Sequence, residues 1–339
     1  MIQKIIVTGT HLTPALEFIR QLEQDKQTQW QIKYIGRSNN SIESEIIPTK
    51  NIEYIGINCG KFNRVKPLKS IFGIPSIFKS IFQCYFIIKK FKPNIVVSFG
   101  GYVSVPPIIA AYLNKIPSIT HEQTHTISLT TKINSFFVNK IALSFDVYKS
   151  PKTTITGNLL RNDITKIKPK KPKNFIFITA GNQGSHTINS IIKILLPNLQ
   201  KYTIYHQTGK TEFKLYKKLE NKYHNYKVFD YIHSQDIGWI LNNSSLMISR
   251  SGANTSQEII ALGKKSILIP LPKTQQNEQT LNAQYVKSTF PQHTIIISQN
   301  SLTPQKLLDS INSLIKIKDP IVKKIKTNYK LLKLVHEII

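Results

Sequence analysis

Short apolar runs alternate with longer stretches of helical period along most of the chain. Strand-like runs fall at 5–9, 30–36, 51–57, 94–100, 118–122, 141–145 and 153–158. Helical spacing fills Pro14 to about Leu22 and Pro106–Leu113, and an apolar segment occupies 71–91. The pattern breaks at the Lys/Pro-rich run KIKPKKPK, 166–173, which suits an exposed linker. It restarts with a strand at 175–179, a glycine turn and a helix from about Thr187, then strands at 203–209 and 226–232. Residues from Asp319 to His336 read as a last helix. Strands interleaved with helices argue for parallel, doubly wound sheets. The expected fold is therefore α/β, with two Rossmann-like halves at 1–163 and 164–339 and the last helix free to pack back on the first half. Ligands of open α/β sheets bind beyond the strand C-terminal ends, so a central cleft faced by both halves is expected to hold them.

The second half contains the densest chemistry. An apolar strand, Leu246 to Ile248, runs into the turn Ser249-Arg250-Ser251-Gly252-Ala253. A helix follows from about Asn254 to Leu262, closed by Gly263, and a second strand spans Ser266 to Pro270. This βαβ unit places small residues at a helix N-terminus, where open N–H groups and the helix dipole favour phosphate. Glu258 lies one turn into the helix, and Gln275, Gln276, Gln279 and Asn282 follow the second strand. A diphosphate seat, a carboxylate for vicinal hydroxyls and an amide cluster together suggest a nucleotide-sugar site.

Each part also has a plainer reading. Thr255-x-x-Glu258 has the spacing of a capping box, Gly252 suits a tight turn, and the amides suit a solvated loop. The glycine turns Thr8-Gly9-Thr10-His11 and 180–185 each also fit an ordinary strand–helix connection. No GxGxxG or GxxxxGK[ST] element occurs, so dinucleotide and P-loop readings have no support.

Composition sharpens this picture. At 339 residues and 40% hydrophobic, the chain is long and apolar enough for two cored domains. Cys59 and Cys84 give neither a disulfide framework nor a zinc spacing, which fits a reducing cytosol. IIVTGT near the start reads as a buried strand, not as the apolar region of a signal peptide. A net charge of +28 favours anionic partners. No zinc spacing, RNP-type motif or recognition helix accompanies it, so nucleic acid is not the expected partner.

The segment 68–91 is too interrupted to span a bilayer, with Gly73, Pro75 and Lys79 inside it. Ile77, Phe78, Ile81, Phe82, Tyr85 and Phe86 lie along one face, rimmed by Lys66, Lys69, Lys79, Lys89, Lys90 and Lys92. That combination fits a helix resting on an anionic membrane surface. A crossover helix with its stripe in the core fits residues 81–88 as well. Ile71, Phe72, Ile74 and Ile77 are the expected membrane-facing knob.

SFGGYVSVPPIIAAYLNKIPSITHEQT (98–124) resembles the GGYVSGP…IP…HEQN segment of the MurG family. TGNLLR (156–161) is similar to that family's TGNPVR, and AGNQGSHTIN (180–189) to its GGSQGAxxLN. SRSGANTSQE with EQTLNA resembles [CS]R[SA]GAxTxxE and QxxNA, and the order holds from residue 5 to about 290. The family comprises UDP-N-acetylglucosamine: N-acetylmuramyl-(pentapeptide) pyrophosphoryl-undecaprenol N-acetylglucosaminyltransferases. The resemblance implies a two-domain GT-B fold. It also implies inverting transfer of N-acetylglucosamine from UDP-GlcNAc to the 4-hydroxyl of undecaprenyl-pyrophosphoryl-MurNAc-pentapeptide in peptidoglycan synthesis. The place of work implied is the cytoplasmic face of the membrane, as a peripheral protein, without metal or cofactor.

Residue by residue, the resemblance implies that Glu258 holds the ribose hydroxyls and that the turn Gly252, Ala253, Asn254, Thr255 and Ser256 meets the diphosphate. Gln257 and Asn282 join these binding residues; Ile232 flanks the uracil, Gln279 bonds sugar hydroxyls, and Arg161 and Asn182 make further donor contacts. Thr8, Gly9, Thr10 and His11 face the acceptor diphosphate, and Thr124 lies near the transferred sugar. The acceptor hydroxyl needs a base, and neutral imidazole serves near pH 7, so His11 is the first candidate and Glu122 the second. A carboxylate in HEQ can equally brace its loop. Arg250 and the 252–256 helix start are expected to stabilise departing UDP. No Asp-x-Asp pair is present, which argues against a metal-chelating glycosyltransferase.

Three departures stand out: VTGTH replaces GGTGGH and is shorter, HEQN becomes HEQT at Thr124, and the serine of GGSQG becomes Asn182. They keep open a GT-B UDP-sugar transferase that acts on a different lipid or glycan acceptor.

Overall fold

The computed structural model describes residues 2–38, 41–60, 74–162, 164, 174–181, 183–272, 277–320 and 328–339. The expected linker at 166–173, Ile71 and Phe72 of the expected knob, Asn182, and Gln275 and Gln276 lie outside the described residues. The chain forms two compact units, one of Met1–Arg161 with Asn328–Ile339, the other of Asn162–Thr327.

In the first unit the elements run β1 (Ile2–Thr8), α1 (Leu12–Glu23), β2 (Gln29–Arg37), α2 (Ile42–Ile46), β3 (Glu53–Ile57) and α3 (Ile74–Phe91). They continue with β4 (Ile95–Ser98), α4 (Val105–Leu113), β5 (Ser118–Glu122), α5 (Leu129–Asn134), β6 (Lys140–Leu143) and β7 (Thr153–Ile155). The sheet order is β3-β2-β1-β4-β5-β6-β7 and every pairing is parallel. Central strands of such a sheet are covered on both faces, which is why Ile5, Ile6 and Val7, and Ile95, Val96 and Val97, are unbroken apolar runs. Ala15, Phe18, Ile19 and Leu22 form the inner stripe of α1 at helical spacing.

The C-terminal helix, Lys330–Ile338, belongs to this unit. Leu331, Leu332, Leu334 and Val335 enter the cluster built on Phe18, Leu22 and Tyr34. Each fully buried side chain of this kind contributes about 1.5–3 kcal/mol. His336 Nε2 lies 2.8 Å from Asp25 Oδ2, and Gln21 Nε2 donates to Asn328 O at 3.0 Å. Of the helix expected from Asp319 to His336, Lys330–Ile338 is observed, residues 317–320 are irregular, and 321–327 lie outside the described residues.

The second unit runs β8 (Phe175–Thr179), α6 (His186–Leu195), β9 (Thr203–Gln207), α7 (Phe213–Lys217), β10 (Tyr226–Phe229) and α8 (Ser234–Asn243). It continues with β11 (Leu246–Ser249), α9 (Ala253–Leu262), β12 (Ser266–Leu268), α10 (Glu278–Thr289), β13 (Thr294–Ile296) and α11 (Pro304–Ile315). Its sheet order is β10-β9-β8-β11-β12-β13, again parallel throughout. Among the described residues of this unit, helices α7, α8, α10 and α11 add to those predicted.

In both sheets the first strand sits beside the fourth of its unit, β1 beside β4 and β8 beside β11. Strand order reverses at those two places. Ligands of open α/β sheets bind at such places, outside the carboxyl ends of the strands.

The segment at 74–91 corrects one expectation. Ser80, Cys84, Ile88 and Phe91 are the inward positions of α3, whereas Phe78, Phe82 and Phe86 point outward with exposures of 67%, 67% and 52%. Ile77, placed in the expected knob, is half-buried. The 3.6-residue period allows both stripes, and the small, tightly packing Ser80 and Cys84 take the core side.

Candidate active site

In the first unit, β1 and β4 end side by side and their loops interlock. Phe99 N donates to Thr8 O at 2.7 Å, and Thr10 N donates to Gly100 O at 3.0 Å. A Cβ at Gly101 would strike the Thr10 side chain, and one at Gly100 would sit 2.9 Å from His11 Cδ2, so two glycines bring the loops together. Tyr34 on β2 fixes the turn from below, its hydroxyl donating to Gly9 O at 2.8 Å. Thr8 is fully buried, and its Oγ1 finds no partner among the described residues.

His11 is the N-cap of α1, with no side-chain cap bond, and its imidazole lies over Gly100. Burial lowers its pKa, against a smaller opposing pull from the Glu122 carboxylate. A neutral imidazole at neutral pH is what a general base requires. His121, in the core behind, is pushed to about 4 by burial and lies 3.2 Å from Gly157 O, so it serves packing.

Glu122 ends β5, and both its oxygens are in use. Oε1 accepts from Thr124 N and Thr124 Oγ1 at 3.3 and 2.9 Å, and Oε2 accepts from Ser128 N and Thr131 Oγ1 at 3.0 and 2.7 Å. The carboxylate ties loop 123–128 to the start of α5. This geometry fits the bracing reading of Glu122. Thr124, expected at the sugar, turns its hydroxyl inward between Glu122 Oε1 and Thr126 O. Gln123, not among the expected residues, is buried with Oε1 lacking a partner among the described residues. Arg161 closes the 156–161 loop of this unit and is half-buried.

In the second unit, the turn after β11 leads into α9. Gly252 is the N-cap of α9, and no side chain caps the helix. The capping-box spacing therefore does not act as one: Thr255 sits inside the first turn, not at the cap. The tight-turn reading of Gly252 fails as well. Its φ of −63° and ψ of 155° are open to any residue, and an added Cβ would meet nothing within 4 Å. Among these loop glycines Gly252 alone needs neither special backbone nor contact with the fold, so its use points to something that must come close from outside.

The N–H groups of Ala253, Asn254 and Thr255 begin the helix, with Ser256 N already bonded to Gly252 O. They form the positive end of α9. Ser256 is buried with Oγ lacking a partner among the described residues, Gln257 is half-buried, and Glu258 is buried on the next turn.

Three expected ligand groups also hold this turn. Arg250 donates to Ile269 O and Pro270 O through Nη1, and to Ser185 Oγ and Gln299 Oε1 through Nη2. Those bonds fasten the turn to the β8–α6 loop and the end of β12. Burial lowers the Arg250 pKa. Gln279 and Asn282, taken as part of a loop, stand on α10. Gln279 Oε1 accepts from Leu271 N at 2.9 Å, Gln279 O accepts from Ser251 Oγ at 2.7 Å, and Asn282 Nδ2 donates to Ser251 O at 3.0 Å. Ile232 follows β10 in an irregular segment and is buried.

Residues 5–143 match the Glycosyltransferase family 28 N-terminal domain, and residues 175–336 the Glycosyltransferase family 28 C-terminal domain. A relative from Clostridium tetani (strain Massachusetts / E88) is 33% identical over 97% of this chain and 94% of its own. One from Clostridium botulinum (strain 657 / Type Ba4) is 36% identical over 92% and 91%. Both are named UDP-N-acetylglucosamine--N-acetylmuramyl-(pentapeptide) pyrophosphoryl-undecaprenol N-acetylglucosamine transferase. The crystal structure of Acinetobacter baumannii MurG shares the fold, with a TM-score of 0.69 over 99% of each chain at 22% identity.

Two parallel Rossmann-like sheets, each with loops meeting where strand order reverses, make this a glycosyltransferase of the GT-B class. The sequence relatives narrow the class further. The chain belongs to the MurG family of N-acetylglucosamine transferases.

Proposed function

We propose that this protein is an inverting hexosyltransferase that moves N-acetylglucosamine from UDP-GlcNAc to the 4-hydroxyl of undecaprenyl-pyrophosphoryl-MurNAc-pentapeptide, in peptidoglycan synthesis. The observation that carries the donor assignment is Gly252, a glycine with ordinary backbone and open space at the uncapped start of α9, one turn before Glu258. The α9 N–H groups receive the diphosphate, Ser256 adds a hydroxyl, and Glu258 takes the ribose hydroxyls. Ile232 flanks the uracil through its backbone. Arg250, Gln279 and Asn282 act by holding the turn in place.

On the first unit, Thr8 and the Gly9–Thr10 backbone meet the acceptor diphosphate, and His11 is the base. The acceptor oxygen bonds to the sugar's anomeric carbon while the bond from that carbon to the diphosphate breaks. The proton passes to the neutral His11 imidazole, and UDP leaves with the electron pair. Single displacement inverts the anomeric centre, and the positive end of α9 stabilises the charge gathering on UDP. Glu122 positions the 123–128 loop.

The acceptor is a lipid, and the surface of the first unit supports docking to an anionic membrane. Phe78, Phe82 and Phe86 stand outward among Lys79, Lys89 and Lys90, and Tyr112 and Leu113 are exposed at the end of neighbouring α4. No helix among the described residues is long and apolar enough to cross a membrane.

Incubating the protein with UDP-GlcNAc and the lipid-linked muramyl-pentapeptide should give the lipid-linked disaccharide and UDP. UDP-GlcNAc binding without that product would instead favour a different lipid or glycan acceptor, the reading the shortened first loop keeps open. Failure to bind the donor would end both.

A further inference from the structure

The second unit buries a chain of polar groups that the donor seat does not itself contain. His206 on β9 is wholly enclosed, with Nδ1 2.7 Å from the Tyr226 hydroxyl and Nε2 3.0 Å from Asn189 Oδ1. Asn189 on α6 donates from Nδ2 to Thr208 O at 3.1 Å and to Glu212 Oε2. The other oxygen of Glu212 meets His186 Nδ1.

Chemistry fixes the direction of every bond. The Thr208 carbonyl and the Glu212 carboxylate only accept, so Asn189 turns its NH2 to them and its oxygen to His206. His206 Nε2 then carries the hydrogen, Nδ1 accepts, and Tyr226 donates. Burial holds the imidazole neutral, pushing it down to about 3. With every member satisfied, the network is rigid rather than strained.

Thr208 is where that rigidity is delivered. A Cβ at Gly184 would lie 1.8 Å from Thr208 O, and one at Gly209 would lie 2.4 Å from Gln183 O. The β8–α6 turn thus rests directly on the Thr208–Gly209 backbone, which Asn189 grips. On the same helix, one turn back, Ser185 caps α6 and accepts from Arg250. Gly181, at the start of this turn, has open space where a Cβ would stand.

We propose that Asn189, fixed by His206 and Glu212, is a positioning residue for donor binding: it sets Gln183, Gly184 and Ser185 beside the α9 N-terminus through Thr208, without touching the nucleotide. The proposal rests on the donor assignment above. The test is calorimetric titration of UDP into the full chain and into Asn189→Leu, Glu212→Ala and Glu212→Gln, with thermal melts and steady-state kinetics alongside.

Well below the melting temperature, Asn189→Leu and Glu212→Ala should weaken UDP binding by about tenfold or more. Glu212→Gln, which keeps an acceptor for Asn189, should stay within about threefold. The loss should fall on the KM for UDP-GlcNAc, with kcat at saturating donor little changed. Folded variants with lower melting temperatures but wild-type UDP affinity would make the network purely structural and overturn the proposal. Glu212→Ala, at the rim of the network, decides the matter should Asn189→Leu not fold. Wild-type protein that ignores UDP would sink the donor assignment and this proposal together; wild-type binding with unaffected variants sinks the proposal alone.

Discussion

Replacing Gly252 with alanine separates a ligand's need for space from the fold's. At φ −63° and ψ 155° alanine is relaxed, and its Cβ would touch nothing within 4 Å. Removing a glycine lowers the entropy of the unfolded chain, so the variant should be as stable as the parent or more so, by up to about 0.4–1 kcal/mol. The donor diphosphate, however, must approach the N–H groups of α9 past that position. A methyl there costs one charge-assisted hydrogen bond, about 1.5–3 kcal/mol, or about 10- to 150-fold in affinity. The matched control is Gly184→Ala, where φ is +71° and the Cβ would overlap Thr208 O. A left-handed alanine alone costs about 1–2 kcal/mol, which lowers a domain's melting temperature by about 2–4 °C per kcal/mol before the overlap is counted. Thermal melts and UDP titrations on both variants read the contrast. Stable Gly252→Ala protein that binds UDP with parental affinity would refute the reasoning, because the open space would then serve no ligand.

Three further outcomes test the first unit. His11→Ala should lower kcat by about 10²–10⁴-fold. In the parent, protonation removes the base and burial lowers the His11 pKa, so the acid limb of kcat/KM should have its midpoint below the ordinary 6.5; a midpoint above it would contradict the assignment. Glu122→Gln removes the charge that partly counteracts that lowering, so the same limb should move to still lower pH while the loop loses matched acceptors and the melting temperature falls. Loss of the acid limb altogether would instead make Glu122 the base. Changing Phe78, Phe82 and Phe86 to Ser should leave the melting temperature unchanged, since all three are exposed, and should reduce sedimentation with anionic vesicles; unchanged partitioning would remove α3 from the membrane surface.

Buried parallel strands announce themselves, and the runs at 118–122 and 175–179 match the observed strands residue for residue. Helices with a strong stripe, such as α1, are equally plain. α10 is not, because EQTLNAQYVKST carries so few apolar residues that no stripe shows, and its buried side includes Asn282. Its amides therefore look like loop. Sequence places the β11–α9 turn correctly but cannot say which polar group faces a ligand and which faces the protein. The bonds of Arg250 to Ser185 and Gln299, and of Thr124 to Glu122, are not legible in the sequence, because those partners are distant in the chain or set by loop shape. Gly252 and Gly184 are likewise indistinguishable as letters, and only φ and the neighbouring atoms divide them. The inward choice of Ser80 and Cys84 over three phenylalanines on α3 also depends on how close α4 lies.

The return of residues 328–339 to the first unit means that neither order of synthesis nor order of cutting respects that unit as a continuous stretch. As the polypeptide leaves the ribosome, the donor half has every residue it needs while the earlier-made half still lacks Leu331, Leu332, Leu334 and Val335. The half translated first is thus completed last. A fragment stopping near Arg161 should emerge with an oily gap beside α1 and call on chaperones that the excised 162–327 stretch would not need.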